Sequence, residues 1–204
     1  MDLISSPRAR RGLLGALAAL ALAFGAVLAG AVPAKADASL PWTHDRAHHT
    51  WCYQSGFTLS TEADWAMTWL RTQTDANTAF WSPCAAEVDV WWSNFYQPGT
   101  FGQTACKAVT SSAPGVCTEF YVRMNATLIN AQTLASEQRK KTSCHELGHT
   151  VGVNHYGGVT GLPNPDGVGA ADSCMKSGTV TTAGAWTSKW GPHHINVHIN
   201  PTFP

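Results

Sequence analysis

The sequence predicts an α+β fold, and two observations support this. Strand-like segments at residues 87–92 and 118–124 precede a helical segment that carries closely spaced histidines near residue 145. An amphipathic segment at residues 60–74 comes before them, so strands and helices follow one another without regular alternation. No repeat or linker divides the 204 residues, and 44% of them are hydrophobic, which is enough apolar mass for one core.

The first 36 residues predict a secretory signal peptide. A basic start with three arginines precedes an uncharged run at residues 13–32, and residues 34–36 read Ala-Lys-Ala, as a signal peptidase requires. An uncleaved membrane anchor is the alternative, since twenty uncharged residues can span a bilayer. The run is rich in Ala and Gly, which favours cleavage. We therefore expect residues 37–204 to form one secreted, extracellular domain.

The net charge of the chain indicates which classes of partner it can bind. Thirteen basic and thirteen acidic residues give the full chain a net charge of zero. Removal of the first 36 residues takes away four cations and one anion, which leaves 9 positive and 12 negative charges, a net of −3. This composition offers no basic surface for nucleic acid or an anionic membrane. We expect the mature chain to bind neither and to act as a monomer.

The first predicted element is an amphipathic helix over residues 60–74. Its apolar residues recur at helical spacing and are Trp65, Ala66, Trp69 and Leu70. Ser60 or Thr61 is the expected N-cap, because a hydroxyl there can accept a hydrogen bond from the first turn.

Two strands are predicted after this helix. Residues 87–92 alternate acidic and apolar side chains, and residues 118–124 place three apolar side chains on one face, namely Phe120, Val122 and Met124. A weaker pattern at residues 101–110 allows a third strand between two Pro-Gly turns. Near the C-terminus, residues 193–200 fit both a helix and an alternating strand.

The most informative segment has the pattern H-E-x-x-H-x-x-G-x-x-H, beginning at His145. On a helix, His145 and His149 lie on one face, about 6 Å apart along the axis, so both imidazoles can reach one Zn²⁺. Gly152 can adopt the left-handed conformation that ends a helix, and the turn brings His155 back to the same ion. Glu146 adjoins the first ligand, where a carboxylate can accept a proton from metal-bound water.

Three imidazoles leave one position of a tetrahedral zinc open, which is typical of catalytic rather than structural sites. A surface helix with incidental histidines is one alternative, although the full pattern arises by chance in roughly four of a hundred thousand sequences of this composition. A metal site without catalytic activity is another. Two further histidine groups, His44/His48/His49 and His193/His194/His198, leave a second metal open, with solvated or packed imidazoles as the default.

This motif resembles that of the metzincin zinc endopeptidases, and the secreted bacterial matrixin-like members are the most similar. The resemblance implies a twisted mixed β-sheet, an N-terminal helix, an active-site helix carrying the motif, and a C-terminal helix after a Met-turn. Asp172-Ser173-Cys174-Met175 fits the Met-turn, so Met175 is the predicted floor beneath the histidines. Without the motif, a methionine filling another gap in the core would be the default. On the same basis we choose a helix for residues 193–200.

The six cysteines all lie in the mature part, an even number that fits an oxidising compartment and leaves fifteen pairings open. If Met175 lies beneath the zinc, as the resemblance implies, Cys144 and Cys174 belong to neighbouring segments. The favoured pair is therefore Cys144–Cys174. The pairing of the other four stays open; one arrangement closes the Pro-Gly loop with Cys106–Cys117, which leaves Cys52 with Cys84.

The predicted function is that of a secreted zinc metalloendopeptidase with one catalytic Zn²⁺ and Glu146 as general base. The resemblance implies a protein or peptide substrate, extended along an edge strand of the sheet, and it permits structural Ca²⁺, for which no Asp-rich loop is evident. The alternative is a secreted zinc-containing module that binds polysaccharide through its tryptophans. A zinc hydrolase acting on other substrates is a third interpretation.

Overall fold

A six-stranded mixed β-sheet forms the centre of the fold in a computed structural model, which describes residues 43–45, 48–110, 115–157 and 160–203. The strands are β1 (Thr43–His44), β2 (His48–Tyr53), β3 (Asn77–Phe80), β4 (Val90–Asn94), β5 (Gly102–Val109) and β6 (Val116–Met124). The order is β1-β6-β4-β2-β3, and β5 also pairs with β6. All pairs are parallel except β5 with β6, which is antiparallel.

The helices are α1 (Ser60–Gln73), α2 (Ala126–Asn130) and α3 (Ala135–Thr150). Short helical turns follow at Ala185–Ser188, His194–Ile199 and Asn200–Thr202. The described residues belong to one structural unit. At this level the α+β prediction is confirmed. The predicted signal peptide lies outside the described residues.

The core lies where α1 and α3 pack against β4 and β6. Its fully buried side chains include Met67 and Leu70 from α1, Trp92 from β4, and Leu147 from α3. Burial of each such side chain contributes about 1.5–3 kcal/mol. The core therefore fixes the position of α3, the helix that carries the histidine motif.

Two of the predicted elements begin elsewhere than expected. The N-cap of α1 is Leu59 rather than Ser60 or Thr61, because the Leu59 carbonyl accepts the first helical hydrogen bond, from the Ala63 amide. Leucine has no side-chain acceptor, so no side chain caps this helix. The strand predicted at residues 87–92 begins at Val90. Asp89 is instead buried, and its carboxylate accepts hydrogen bonds from the backbone amide and the hydroxyl of Thr50 in β2.

Other predictions of the pattern are confirmed. Phe120, Val122 and Met124 are fully buried on one face of β6. The weak pattern at residues 101–110 is the strand β5, and the closing segment is helical at His194–Ile199. The short strands β1, β2 and β3 were not predicted.

The described residues form three disulfides: Cys52–Cys84, Cys106–Cys117 and the favoured pair Cys144–Cys174. The first links β2 to the loop that leads into β4, and the second joins β5 to β6. None of the helices in the described part of the chain has the length and apolar character that a membrane span needs.

A buried histidine links the sheet to the end of α3. His49 in β2 is about 1% exposed, and its Nε2 lies 2.8 Å from the Thr150 hydroxyl. Its ring faces Phe120 and Phe203, and the titratable ring of His44 lies at a centroid distance of 5.7 Å. Burial, with a smaller effect of His44, lowers the pKa of His49 to about 3.

The His49→Gln substitution should flatten the dependence of stability on pH. Between pH 6.5 and 3 the unfolded wild type binds a proton at His49 that the folded protein excludes, so stability falls as pH falls through this window. From pH 7 to pH 5 we expect the wild type to lose about 2 kcal/mol more than the variant. Urea unfolding of both proteins with chelator and intact disulfides measures this, and parallel pH profiles would contradict it.

Candidate metal centre and cleft

Three histidine side chains converge at the end of α3. His145 and His149 lie one turn apart on the same face of the helix, with ring centroids 4.8 Å apart. The His155 ring lies 4.6 Å from the first and 4.5 Å from the second. One nitrogen from each ring is within 4.8 Å of the others, so this cluster can hold a metal ion.

Backbone carbonyls orient two of these rings. The Nδ1 of His145 lies 2.7 Å from the Cys174 carbonyl oxygen, and the Nδ1 of His149 lies 2.8 Å from that of Val153. A carbonyl oxygen only accepts, so each Nδ1 must carry the proton, and each Nε2 keeps its lone pair for a metal. Ligating histidines in proteins are held in this way. Three neutral imidazoles therefore fit a transition-metal ion such as zinc.

The end of α3 has the geometry that returns His155 to the cluster. Gly152 has a φ of 84°, the left-handed conformation predicted from the motif. The Val153 amide donates to the Gly148 carbonyl at 3.0 Å, and the Gly152 amide to the His149 carbonyl at 3.3 Å. These two bonds form a Schellman motif, which stops the helix and reverses the chain.

A tight turn lies against this face of α3. This turn consists of residues 173–176 and is called the Met175 turn below. The Lys176 amide donates to the Ser173 carbonyl at 3.0 Å, which closes it. Met175 is fully buried, and a Cβ placed on Gly148 would lie 2.4 Å from its Sδ. Only a glycine at position 148 thus allows the turn to approach the helix this closely.

The Met175 turn is bonded to both sides of the cluster. The disulfide Cys144–Cys174 fastens it beside His145. The Tyr156 amide, next to His155, donates to the Met175 carbonyl at 3.3 Å, and the Ser177 amide donates to the Tyr156 carbonyl at 2.9 Å. The turn therefore holds the first and third histidines in fixed relation.

The predicted catalytic carboxylate lies between α3 and β5. Glu146 is about 5% exposed, and the Thr104 hydroxyl of β5 lies 2.9 Å from its Oε2 and 2.7 Å from its backbone carbonyl oxygen. A Cβ on Gly102 would lie 2.5 Å from the Glu146 Cγ. The glycine in β5 thus leaves the space that the carboxylate occupies.

The cluster and the carboxylate line one open cleft of about 600 Å³. One wall is β5 with the residues just before it, and the other is α3 with the segment 177–179. The side chain of Lys141, one helical turn before His145, also lines this cleft.

Burial dominates the electrostatics of the site. It raises the pKa of the Glu146 carboxyl to about 7, against the opposing effects of the Thr104 hydrogen bond and the Lys141 charge. It lowers the pKa of Lys141 to about 8, against the opposing effect of Glu146. Burial also lowers the pKa of all three histidines, with His149 reaching about 3. Neutral imidazoles are the form that binds a metal.

The structure brings together the predicted ligands His145, His149 and His155 with Glu146, and it places Met175 against their helix. Sequence reasoning missed Gly102, Thr104 and Lys141. The first two lie in a strand with weak alternation, and the third is a lysine on a polar helix, so no local pattern marked them.

The other histidine groups bring no three ligating side chains together among the described residues, where the His145 cluster is the one such group found. His44 stacks on Phe203, and the His194 Nδ1 lies 3.2 Å from the Ser173 hydroxyl. Packing therefore accounts for these two imidazoles.

Comparison with protein-family models finds no match to this chain. Comparison with curated proteins likewise finds none. Function must therefore be inferred from the site itself.

The contact between Gly148 and Met175 can be tested by Gly148→Ala. Alanine favours a helix by about 1 kcal/mol over glycine, but its methyl group would overlap the Met175 sulfur, and overpacking costs about 1–3 kcal/mol. We expect a net loss of about 1 kcal/mol in urea unfolding. The same substitution in a Met175→Ala background should cost less, because the overlapping sulfur is gone. Equal costs in both backgrounds would contradict the contact.

Proposed function

We propose that this chain is a zinc-dependent endopeptidase of the metzincin type. One observation carries the proposal: three histidine nitrogens meet within 4.8 Å in an open cleft that a buried glutamate also lines. A structural metal site would be closed by a fourth protein ligand, whereas the described residues bring three ligating side chains to this cluster, which faces the cleft.

Zinc is the metal that this donor set favours. The cluster contains imidazole nitrogen and neither thiolate nor carboxylate, and the cysteine beside it, Cys144, is held in a disulfide. Imidazole donors suit zinc, copper, nickel and iron, and three histidines with an open fourth position are a known arrangement for catalytic zinc. When bound, zinc supplies Lewis-acid chemistry that polarises a water molecule and the scissile carbonyl.

Glu146 moves the proton in this proposal. It accepts a proton from the attacking water as the C–O bond forms, and it donates that proton to the nitrogen of the leaving amine as the C–N bond breaks. The Thr104 hydroxyl and the space above Gly102 hold its carboxylate in the cleft. Met175 and the Cys144–Cys174 disulfide hold the helix that carries it, which is the role expected of a Met-turn.

The substrate strand would lie along β5. Among the described residues β5 pairs only with β6, so its other edge keeps unpaired backbone groups beside the cleft. An extended peptide can pair with such an edge through its own backbone. This arrangement brings a peptide bond between β5 and the histidines.

Export from the cell is part of the proposal. Three disulfides without a free cysteine among the described residues are typical of proteins that fold in an oxidising compartment. We therefore propose a secreted, extracellular, monomeric enzyme that acts on proteins or peptides.

The polysaccharide-binding alternative needs a surface of exposed tryptophans. Trp92 is fully buried, Trp65 and Trp69 stack half-buried on α1, and in the described ranges only Trp81 exceeds half exposure, at 53%. Core packing therefore explains the tryptophans better than a binding surface.

Removal of the metal should abolish activity. The purified protein should contain one zinc per chain, and cleavage of a denatured protein substrate should stop with a chelator such as 1,10-phenanthroline. Zinc should restore cleavage, whereas calcium alone should not. Metal quantification with a peptidase assay measures this. A protein that binds zinc stoichiometrically but cleaves no peptide would support the binding-module or non-peptide hydrolase alternatives instead.

Glu146→Gln should separate catalysis from metal binding. General acid–base catalysis contributes a factor of about 100 to 10,000, so we expect kcat/KM to fall at least 100-fold while zinc content is unchanged. Glu87→Gln makes the same chemical change at an exposed position outside the cleft and should retain full activity. Substantial activity in Glu146→Gln would remove this carboxylate from the mechanism.

A further inference from the structure

The cleft contains a buried cation that the proposed hydrolysis does not use. Lys141 is only 4% exposed, although lysine is rarely buried without a charged partner. Its ammonium donates one hydrogen bond, to the Gly178 carbonyl oxygen at 3.2 Å. No ion pair among the described residues includes it.

A lysine ammonium has three N–H donors, and among the described residues this one uses a single donor, toward a neutral acceptor. An ion held out of water costs several kcal/mol unless a counter-charge and further hydrogen bonds compensate it. An aliphatic side chain at this position would fill the same space without that cost. The arrangement therefore favours a role for the charge itself.

Glu146 does not supply the missing partner. Its carboxylate lies toward β5, within hydrogen-bonding distance of the Thr104 hydroxyl, and it makes no ion pair with Lys141. The two groups line the same cleft and interact only at longer range.

A second donor lies next to the residue that the lysine contacts. The Ser177 hydroxyl oxygen is buried and has no hydrogen-bond partner in the described structure, and Ser177 lines the same cleft. It directly precedes Gly178, the residue that accepts from Lys141. An ammonium and a hydroxyl in one cleft fit an anionic, oxygen-rich group.

We propose that Lys141, with Ser177, binds a carboxylate of the substrate, so that the enzyme selects peptides with a carboxylate close to the scissile bond. This inference rests on the proposed peptidase function. Lys141 lies one helical turn, about 6 Å, from His145, and an extended peptide advances about 3.3 Å per residue. The carboxylate therefore belongs to a residue within two positions of the bond. It is either an acidic side chain or the C-terminal carboxylate.

Matched peptide pairs test the inference. One set of amidated peptides carries either Glu or Gln at each of the two positions on either side of the scissile bond, and it tests for recognition of a side-chain carboxylate. A second set ends in either a free acid or an amide, and it tests for recognition of the C-terminal carboxylate. A charge-assisted hydrogen bond is worth about 1.5–3 kcal/mol, so at one position we expect kcat/KM to favour the carboxylate roughly 10- to 100-fold.

Two variants test whether Lys141 and Ser177 cause the preference for a carboxylate. Lys141→Met should lower the carboxylate-to-amide ratio to near one, and Ser177→Ala should lower it partly. Lys140→Met, the adjacent lysine on the exposed side of α3, removes the same charge and should leave the ratio unchanged. A wild-type ratio near one at every position, or a ratio that persists in Lys141→Met, would overturn the inference.

Binding measurements separate this inference from the peptidase proposal. Calorimetry on zinc-loaded Glu146→Gln compares the affinity of the Glu and Gln peptides without turnover. If the wild-type protein cleaves no peptide but the variant binds the Glu peptide more tightly, the peptidase proposal is overturned and the carboxylate site is retained. If the wild-type protein cleaves both peptides without preference and the variant binds them equally, the peptidase proposal is retained and the carboxylate site is overturned.

Discussion

The contact between α3 and the Met175 turn is the constraint on which the site depends. A disulfide, a hydrogen bond from a histidine ring and the close approach of Met175 to Gly148 all act across it. The same turn is hydrogen-bonded to the residue after His155. One short segment thus fixes histidines that come from a helix and from the loop beyond it, so the cluster is preorganised by the surrounding backbone.

The second constraint is the position of β5. It pairs antiparallel with β6 and lies along α3, where its glycine and threonine shape the space around Glu146. Burial there raises the free energy of a charged side chain and strengthens the electrostatic interactions that this side chain makes. The glutamate and the lysine at position 141 are therefore the groups on which the chemistry and selectivity of the cleft are proposed to depend.

Much of the site was accessible from the sequence because it is encoded locally. The spacing of the motif places His145 and His149 on one helix face, and a glycine at position 152 has few alternatives to the turn that it makes. The Cys144–Cys174 pair was favoured because the resemblance places both cysteines beside the site, whereas the structure decided the other two pairs. The boundaries of the helices and strands were harder to predict from the sequence. The helix α1 begins one residue before the predicted hydroxyl caps, at a leucine that has no capping side chain, and the Asp89 carboxylate accepts from Thr50, 39 residues earlier, so neither position has a local signature.

By itself, the sequence determined the three clustered histidines, the helix that carries two of them, and the turn that returns the third. These depend on periodicity and on glycine conformation, which are properties of neighbouring residues. Only the tertiary structure decided the full set of cysteine pairs, which strand lies beside Glu146, and that Lys141 lines the same cleft. Those positions arise from packing between segments that are far apart in the chain. Burial shifts the pKa of a carboxylate or an ammonium, and the extent of burial depends on the surrounding residues rather than on the position of the group in the sequence.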